Sequence, residues 1–391
     1  MTRVTFLLSK DPETEHGGDL TLSRLVMSLV AESWYVDGIC LSGRAGAAAS
    51  TPMPAGVPLV RVAKPPVRRT GLAVEALRSR RSLVHVRFDT PALVSAVEDC
   101  DADVFFAEHS YMAESFLRSA HFGDRGLVVN TVNSESEVWQ ATRGRLGRVE
   151  APRLVRDELR VARAADAVGT YDAQEAEMYQ RAGVSGARWV ELTLPPAAQL
   201  DLGATGPRLA FIGTRDWPPN QEAFLEALRL WPRIADGIPG AELVIIGARK
   251  PGAVDPPYPP GVRDVGFVDD LPGLLATCRA LIAPVKTGGG VRVKILDAAR
   301  AGLPIVGSSA AVGSLKDHLR LPVYDTDGAF VQACRRYLLD RGAAESDGAA
   351  LYEVNAAHWQ DRRPHQAVAD LVTLAGQART GSPPRRPQVS R

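Results

Sequence analysis

Two successive series of short apolar segments, each alternating with amphipathic segments, constrain the fold of this chain most strongly. The apolar segments predict strands at residues 4–9, 36–41, 104–107, 127–130 and 167–170, and again at 209–213, 242–247, 281–285 and 305–307. Helical periodicity between them, as at 20–32 and 220–231, predicts helices. Because strands that alternate with helices form parallel sheets covered on both faces, we expect an α/β protein.

A segment rich in proline and glycine separates the two series, and such segments are typical linkers. It contains Pro195-Pro196, Gly203 and Gly206-Pro207. We therefore expect a first domain at residues 1–200 and a second at 207–340. Residues 341–378 are expected to form helices that pack back toward the first domain, and the polar tail 379–391 is expected to be disordered.

Composition excludes several classes of protein. The net charge of +1 provides no general attraction for nucleic acid. The four cysteines form no Cys-x-x-Cys pair, which suits a reducing cytoplasm. No stretch approaches the ~20 apolar residues of a membrane span. Arginine greatly outnumbers lysine, as in GC-rich bacterial genomes, so we expect a bacterial protein. The cysteine pattern favours the cytoplasm. The oligomeric state stays open.

Three glycines after the predicted strand 281–285 indicate an anion-binding loop. Gly288, Gly289 and Gly290 carry no Cβ atom, so their backbone can approach a ligand closely. A helix is predicted to follow and to end at Gly302. The unpaired N–H groups and the dipole at its start attract anions.

Two cations and a carboxylate lie on the first turns of that helix. Arg292 offers a planar fork for phosphate oxygens. Lys294 and Asp297 are three residues apart and can share one face. Together they can hold a diphosphate and a sugar or ribose hydroxyl, which indicates an enzyme that handles an activated sugar. A solvated charged face is the alternative.

The second half of the chain resembles the nucleotide-binding domain of glycosyltransferase family 4. The similarity lies in residues 211–220, which resemble the first strand and turn, in 266–271, which resemble the loop around the nucleotide base, and in 288–302, which resemble the donor motif. The first half matches less specifically, at Gly17-Gly18, 133–135 and 164–168. The resemblance implies the GT-B architecture, with two Rossmann-like domains whose parallel sheets face each other across a cleft.

That resemblance implies a retaining glycosyltransferase of the hexosyl type. Its donor would be a nucleotide-diphosphate sugar, and its acceptor a hydroxyl of a glycan, lipid or specialised metabolite. No cofactor is implied, and no cluster of ligating residues has metal-site spacing. The sugar, the base and the acceptor stay open. A sugar-nucleotide 2-epimerase of the same architecture and a non-catalytic relative with a decayed donor site are the alternatives.

The donor motif departs from the family pattern at one position. Family members carry two spaced glutamates, of which the second contacts the ribose and corresponds to Asp297. The first contacts the sugar, and its place is taken by Gly289. A branch with the pattern Gly-Gly-Gly-x-Arg-x-Lys shares this feature. The resemblance suggests that N–H groups of Gly289 and Gly290 replace the missing side chain.

Other residues are assigned to donor binding by their positions. Gly17 and Gly18 precede the first predicted helix, whose N-terminus would face the donor phosphates, or would form a plain turn. Arg215 follows a strand and is expected to contact the diphosphate or to lie on the surface. Val268 belongs to the base loop. Asn220 is expected to cap the helix that follows it.

The catalytic candidates of the first half follow the strand 104–107. Glu108 and His109 lie where that strand ends, and either side chain can orient an acceptor hydroxyl and take its proton. A solvated loop histidine is the alternative. Glu135 is expected to shape the acceptor side or to have a structural role. The basic segment 68–81 has interspersed leucine and valine, so it is either a solvated face or a weak contact with an anionic membrane.

Overall fold

The computed structural model describes residues 2–15, 17–43, 56–249, 252, 254–286 and 292–380. The chain divides into two units. The first comprises residues up to Leu192 together with those from Arg363 onward, and the second comprises Thr193–Arg362. The first unit is therefore built from both ends of the chain.

Twelve strands are described: β1 Arg3–Leu8, β2 Tyr35–Ser42, β3 Leu59–Ala63, β4 Val104–Glu108, β5 Gly126–Asn130, β6 Ala167–Thr170, β7 Ala187–Trp189, β8 Arg208–Ile212, β9 Glu242–Ile246, β10 Val262–Gly266, β11 Ala280–Ala283 and β12 Ile305–Gly307. The first seven form one sheet in the order β3-β2-β1-β4-β5-β6-β7, and the last five form another in the order β10-β9-β8-β11-β12. Every neighbouring pair is parallel. The expected α/β class with two parallel sheets is confirmed.

Sixteen α-helices accompany them in the described ranges: α1 Gly18–Ala31, α2 Arg69–Arg78, α3 Leu83–Phe88, α4 Pro91–Glu98, α5 Ala113–Arg118, α6 Glu135–Thr142, α7 Gly144–Ala164, α8 Ala173–Arg181, α9 Pro218–Ala235, α10 Leu271–Leu275, α11 Val293–Ala301, α12 Ser309–Val312, α13 Leu315–His318, α14 Asp327–Leu339, α15 Arg341–Gln360 and α16 Arg363–Thr380. Across these ranges, no helix combines the length and apolar character that a membrane crossing requires.

The central strands are buried on both faces, which explains their uninterrupted apolar sequences. In β1, every residue from Val4 to Leu8 is buried. Phe6 lies opposite Phe106 of β4, and the two rings stack with centroids 4.5 Å apart. Aromatic stacking and apolar burial thus join β1 to β4 at the centre of the first sheet.

The last two helices pack in different units. Helix α15 packs against α11 in the second unit, where a Cβ atom on Gly348 would collide with the carbonyl oxygen of Gly302. Helix α16 packs against α1, β4, β5 and β6 in the first unit. A Cβ atom on Gly126 would lie 2.7 Å from the carbonyl oxygen of Ala375, so glycine permits this close approach.

Each sheet reverses its strand order at its centre. The chain leaves β1 toward β2 on one side and later returns to β4 on the other, and β8 is likewise flanked by β9 and β11. Ligands of open parallel sheets bind at the carboxyl ends of the strands at such a reversal. Ligands are therefore expected to bind at the loops after β1 and β4 in the first sheet, and at those after β8 and β11 in the second.

Candidate functional site

The loop after β11 contains the three glycines of the predicted anion-binding loop. Gly288, Gly289 and Gly290 lie outside the described residues, so their role stays a prediction. Arg292 and the residues of α11, which begins at Val293, lie within the described residues.

Lys294 projects from the first turn of α11 toward the turn that follows β8. Its Nζ donates a hydrogen bond to Oδ1 of Asn220 over 2.9 Å. Nζ also lies 5.8 Å from the centroid of the Phe211 ring. Burial lowers the pKa of Lys294 to about 8. Its partners here are a neutral amide and a ring, so below that pH the charge of the ammonium is available to an anion.

Asn220 does not cap α9, so the expectation of an N-cap is wrong. The helix begins at Pro218, and Trp217 occupies the N-cap position. The pair Pro218-Pro219 explains the earlier start, because proline is favoured in the first turn of a helix. From that turn the Asn220 side chain reaches back to the carbonyl oxygen of Thr214, 3.1 Å away, and to Lys294. The pair Pro218-Pro219 is a sequence signal for the start of the helix, and it places Asn220 inside the first turn instead of at the N-cap.

Arg292 and Asp297 flank Lys294 on the same helix. Arg292 is the N-cap residue of α11, and its guanidinium fills the space that a Cβ atom on Gly313 would occupy. Asp297 is half-buried, and burial raises its pKa while Arg300 partly offsets that effect. Arg292 and Lys294 thus lie at the start of α11, at the carboxyl edge of the second sheet, and Asp297 lies about one turn further along the helix.

Arg215 lies in a buried ion-pair network, so the alternative of a surface arginine is wrong. Its side chain is 2% exposed. Nη1 and Nη2 donate to the carboxylate of Asp264 over 2.8 and 3.1 Å, and Nη1 also donates to Asp255 over 3.0 Å. These bonds occupy both terminal nitrogens of Arg215, so the side chain links the turn after β8 to strand β10. A phosphate contact through these two nitrogens would require the bonds to break.

Val268 lies half-buried in the loop between β10 and α10. The neighbouring Phe267 is 69% exposed. A loop that presents an aromatic ring to solvent offers a flat apolar surface. Contact of this loop with a nucleotide base stays a prediction.

In the first unit, α1 begins directly after Gly17. Gly17 is the N-cap residue, and Gly18 is the first helical residue. The carboxylate of Asp19 fills the space where a Cβ atom of Gly17 would lie, and it accepts a bond from Nζ of Lys10 over 2.5 Å. A carboxylate near the positive end of the helix dipole is stabilised there. A donor phosphate at this helix would therefore compete with Asp19.

Glu108 and His109 lie buried at the end of β4, so the alternative of a solvated histidine is wrong. Oε1 of Glu108 accepts a bond from Nδ2 of Asn130 over 3.1 Å, and burial raises the pKa of Glu108 to about 7. The His109 ring stacks on Tyr111 at 4.9 Å. Burial lowers the pKa of His109 to about 4, so its imidazole is neutral at pH 7.

The backbone of His109 is held in an unusual conformation. Its φ of 75° lies in the left-handed region, which non-glycine residues rarely adopt. The N–H of His109 donates to the carbonyl oxygen of Asn130 over 2.7 Å, which holds this conformation at the strand end. Nδ1 then lies 3.7 Å from Oε1 of Glu135, whose pKa burial raises to about 7. The three predicted acceptor-side residues are thus neighbours.

Residues 206–340 match the family model described as glycosyl transferases group 1. The second unit is therefore similar to group 1 glycosyl transferases over this range. The matched range begins just before β8 and ends after α14, so it includes Asn220, Lys294 and Asp297. A sequence search of curated proteins found no significant match.

Solved structures resemble the whole chain. Sucrose-phosphate synthase from Thermosynechococcus elongatus is similar with a TM-score of 0.70 and 16% identity, over 98% of this chain and 100% of that one. HepE of Anabaena in complex with UDP-glucose gives 0.63 and 13%, over 95% and 100%. WaaG, a glycosyltransferase of lipopolysaccharide biosynthesis, gives 0.57 and 16%, over 97% and 100%. At these identities the likeness shows the fold, and the expected GT-B fold is confirmed.

Proposed function

We propose that this protein is a retaining glycosyltransferase of the hexosyl type, in the Gly-Gly-Gly-x-Arg-x-Lys branch of family 4. It moves a sugar from a nucleotide-diphosphate sugar to a hydroxyl of a glycan, lipid or specialised metabolite. One observation carries the proposal. Lys294 lies at the carboxyl edge between β8 and β11 of a unit similar to group 1 glycosyl transferases, hydrogen-bonded to a neutral amide.

The choice of donor has support from a structural relative. The structure of Anabaena HepE contains UDP-glucose, and its fold resembles that of this chain. A diphosphate is a natural ligand for Arg292 and Lys294 at the start of α11, since both side chains and the helix N-terminus carry positive charge there. The proposed donor contacts also include Asp297 on the ribose, Val268 at the base, and the glycine loop at the sugar and phosphates.

Catalysis in this proposal rests on charge that develops as the glycosidic bond breaks. The leaving diphosphate becomes more negative, so Arg292 and Lys294 stabilise the transition state more than the bound donor. The acceptor oxygen forms the new bond to the anomeric carbon on the face that the diphosphate leaves. No cofactor takes part. Neither a protein nucleophile nor a covalent intermediate is required.

The acceptor hydroxyl must lose a proton during transfer. Of the two candidates, Glu108 has its pKa raised to about 7, which suits a group that accepts a proton near neutrality. His109 has its pKa lowered to about 4, so it would serve as a neutral hydrogen-bonding group that orients the acceptor. Glu108 is therefore the preferred base.

The experiment that tests the function is a panel of nucleotide-diphosphate sugars, assayed for released nucleoside diphosphate with and without candidate acceptors. We expect acceptor-dependent release that Lys294→Ala reduces by about a hundredfold, because a positioned charge at the developing anion is removed. The control is Lys286→Ala, which removes a lysine that pairs with Glu226 at 3.1 Å.

Three outcomes would contradict the proposal. If Lys294→Ala transferred sugar at the wild-type rate, Lys294 would not stabilise the leaving diphosphate. Conversion of the donor without any acceptor would favour the 2-epimerase. Absence of a thermal shift with every nucleotide would favour a non-catalytic relative, since a ligand at ~100 times its Kd stabilises by about 2.7 kcal/mol.

We further propose that the protein is cytoplasmic and bacterial and makes a weak peripheral contact with membranes. Helix α2 supports that contact, because Val74 and Leu77 are 55% and 62% exposed on it. Arg68, Arg78 and Arg80 beside them are exposed cations. Apolar side chains set among arginines suit an anionic lipid surface, where the former insert and the latter bind headgroups.

A further inference from the structure

The Asn220 side chain joins the two segments that flank the reversal in the second sheet. Nδ2 donates to the carbonyl oxygen of Thr214 in the turn after β8, over 3.1 Å. Oδ1 accepts from Nζ of Lys294 on α11, over 2.9 Å. One amide thus connects a backbone turn to the ammonium that the proposed function assigns to the diphosphate.

The orientation of this amide is determined by its partners. A backbone carbonyl can only accept a hydrogen bond, so the NH₂ group must face Thr214. An ammonium can only donate, so the carbonyl oxygen of the side chain must face Lys294. Gly213 makes the arrangement possible, because a Cβ atom there would lie 2.9 Å from Cγ of Asn220.

The surroundings of Lys294 leave its positive charge uncancelled. Besides the amide, Nζ faces the Phe211 ring, which attracts a cation without neutralising it. Burial is the cause of its lowered pKa, with no contribution from a charged neighbour among the described residues. In that part of the chain Lys294 forms no salt bridge, whereas Lys286 pairs with Glu226.

We propose that Asn220 is a positioning residue, which holds the Lys294 ammonium in place for the donor diphosphate while leaving its charge intact. This inference rests on the proposed function. An aspartate at position 220 could hold the same ammonium, but it would cancel the charge. An apolar residue would leave the ammonium without its fixed acceptor.

The first experiment measures the charge of Lys294 directly, in the purified full chain without ligand. Acetylation of its amine by acetic anhydride is followed by mass spectrometry as a function of pH, because only the neutral amine reacts. The wild type should titrate near the lowered pKa of about 8. Asn220→Ala removes a hydrogen bond to the charged form and should lower this pKa, whereas Asn220→Asp adds a carboxylate and should raise it.

Gln221→Glu provides the matched control. It makes the same amide-to-acid change one residue further along α9, and should leave the titration of Lys294 unchanged. Circular dichroism and melting curves verify that each variant folds. A merely structural role for Asn220 would not move the Lys294 titration in opposite directions for the two variants.

The second experiment measures binding of UDP, GDP and ADP by calorimetry over the same pH range. Binding to the wild type should weaken as the pH rises above about 8, because the anion prefers the charged amine. The decline should begin at lower pH in Asn220→Ala and at higher pH in Asn220→Asp. At pH 7, Asn220→Asp should bind about tenfold more weakly, equivalent to an interaction of one pKa unit.

The outcomes separate this inference from the proposed function. If the wild type binds a nucleoside diphosphate but neither variant moves the Lys294 titration or the pH profile, Asn220 has no positioning role. If both variants shift the titration in the same direction, the inference is likewise overturned. If the wild type binds none of the three diphosphates, the proposed function fails and the positioning role toward the donor fails with it.

Discussion

At the scale of single residues, the space beside Gly313 determines where the Arg292 guanidinium lies. Gly313 has φ 51° and ψ −137°, a conformation that side chains rarely adopt, and the Arg292 guanidinium occupies the position of the missing Cβ atom. Glycine therefore permits both the backbone turn and the placement of a proposed phosphate ligand.

Gly313→Ala should displace that guanidinium. We expect binding of a nucleoside diphosphate to weaken several-fold, together with a loss of about 1–3 kcal/mol in the free energy of unfolding from the strained backbone. Calorimetry and urea unfolding measure the two effects. Gly328→Ala is the control, because a Cβ atom at Gly328 in α14 meets nothing within 4 Å. Unchanged binding in a folded Gly313→Ala protein would show that Arg292 does not need this position.

At the candidate site, the sequence predicts only those spatial relations that join residues close together along the chain, and the binding roles of these residues stay predictions. Lys294 and Asp297 are three residues apart on α11, so helical spacing places them on one face. Asn220 was misassigned because its partner Lys294 is 74 residues away. Arg215 and Asp264 are 49 residues apart, so no local sequence pattern predicts their pairing.

At the scale of elements, three helices of the first unit each bury a carboxyl group. Glu135 lies on α6, Glu158 on α7 and Glu175 on α8. Burial raises the pKa of the first two to about 7 and that of Glu175 to about 8, with repulsion from Glu158 contributing to the shifts of its two neighbours. Oε1 of Glu175 is buried without a hydrogen-bond partner. Between about pH 4.5 and pH 7, these three carboxyl groups therefore keep protons in the folded protein that they would release in the unfolded chain.

Glu175→Gln should make the protein more stable at alkaline pH. A carboxyl whose folded pKa is raised holds its proton more tightly in the folded state, so the wild type loses stability as pH rises from about 4.5 to about 8. The variant should be more stable by up to about 5 kcal/mol at pH 9 and equal at pH 4. Urea unfolding at both pH values checks this. A constant difference across the range would refute the titration as its cause.

The apolar residues on α2 should mediate binding to anionic vesicles. The double change Val74→Ser and Leu77→Ser should reduce co-sedimentation with vesicles that contain phosphatidylglycerol by about tenfold, since each exposed side chain contributes up to about 1 kcal/mol of apolar burial. Leu339→Ser in the second unit is the control, because Leu339 is equally exposed at 62%. Equal sedimentation of all three proteins would reject the membrane contact.

The central strands were predictable and several edge strands were not. Strands β3, β7 and β10 lie at sheet edges and were absent from the expected pattern. Edge strands are covered less completely, so their sequences lack the long apolar runs of β1 or β4. In β3, Val60 is 57% exposed while Val62 is buried.

At the scale of the whole molecule, the chain crosses between its units twice. Helix α16 follows the second unit in sequence, yet it packs on the first sheet through Val368, Leu371, Val372 and Ala375, all at most 1% exposed. The stability of the first unit therefore depends on residues that follow the second unit in the sequence.

Leu371→Ala should destabilise the first unit by about 2–5 kcal/mol, because it leaves a cavity between α16 and the sheet. A Cβ atom on Gly169 would lie 2.7 Å from Cδ1 of Leu371, which shows how closely the helix and β6 approach. Limited proteolysis should then cleave the first unit before the second. Thr373→Ala, at an exposed position of the same helix, should have no such effect. Equal protease resistance of the two variants would contradict this dependence.

The sequence by itself determined the two parallel sheets and the charged start of α11, because apolar runs and helical spacing are local properties. Tertiary structure alone decided that α15 packs in the second unit while α16 packs in the first, that Arg215 is held by Asp264, and that Asn220 meets Lys294. Each of these depends on which strands become neighbours, and strand order joins residues that no local pattern relates. The same order places the uncancelled charge of Lys294 where the second sheet reverses.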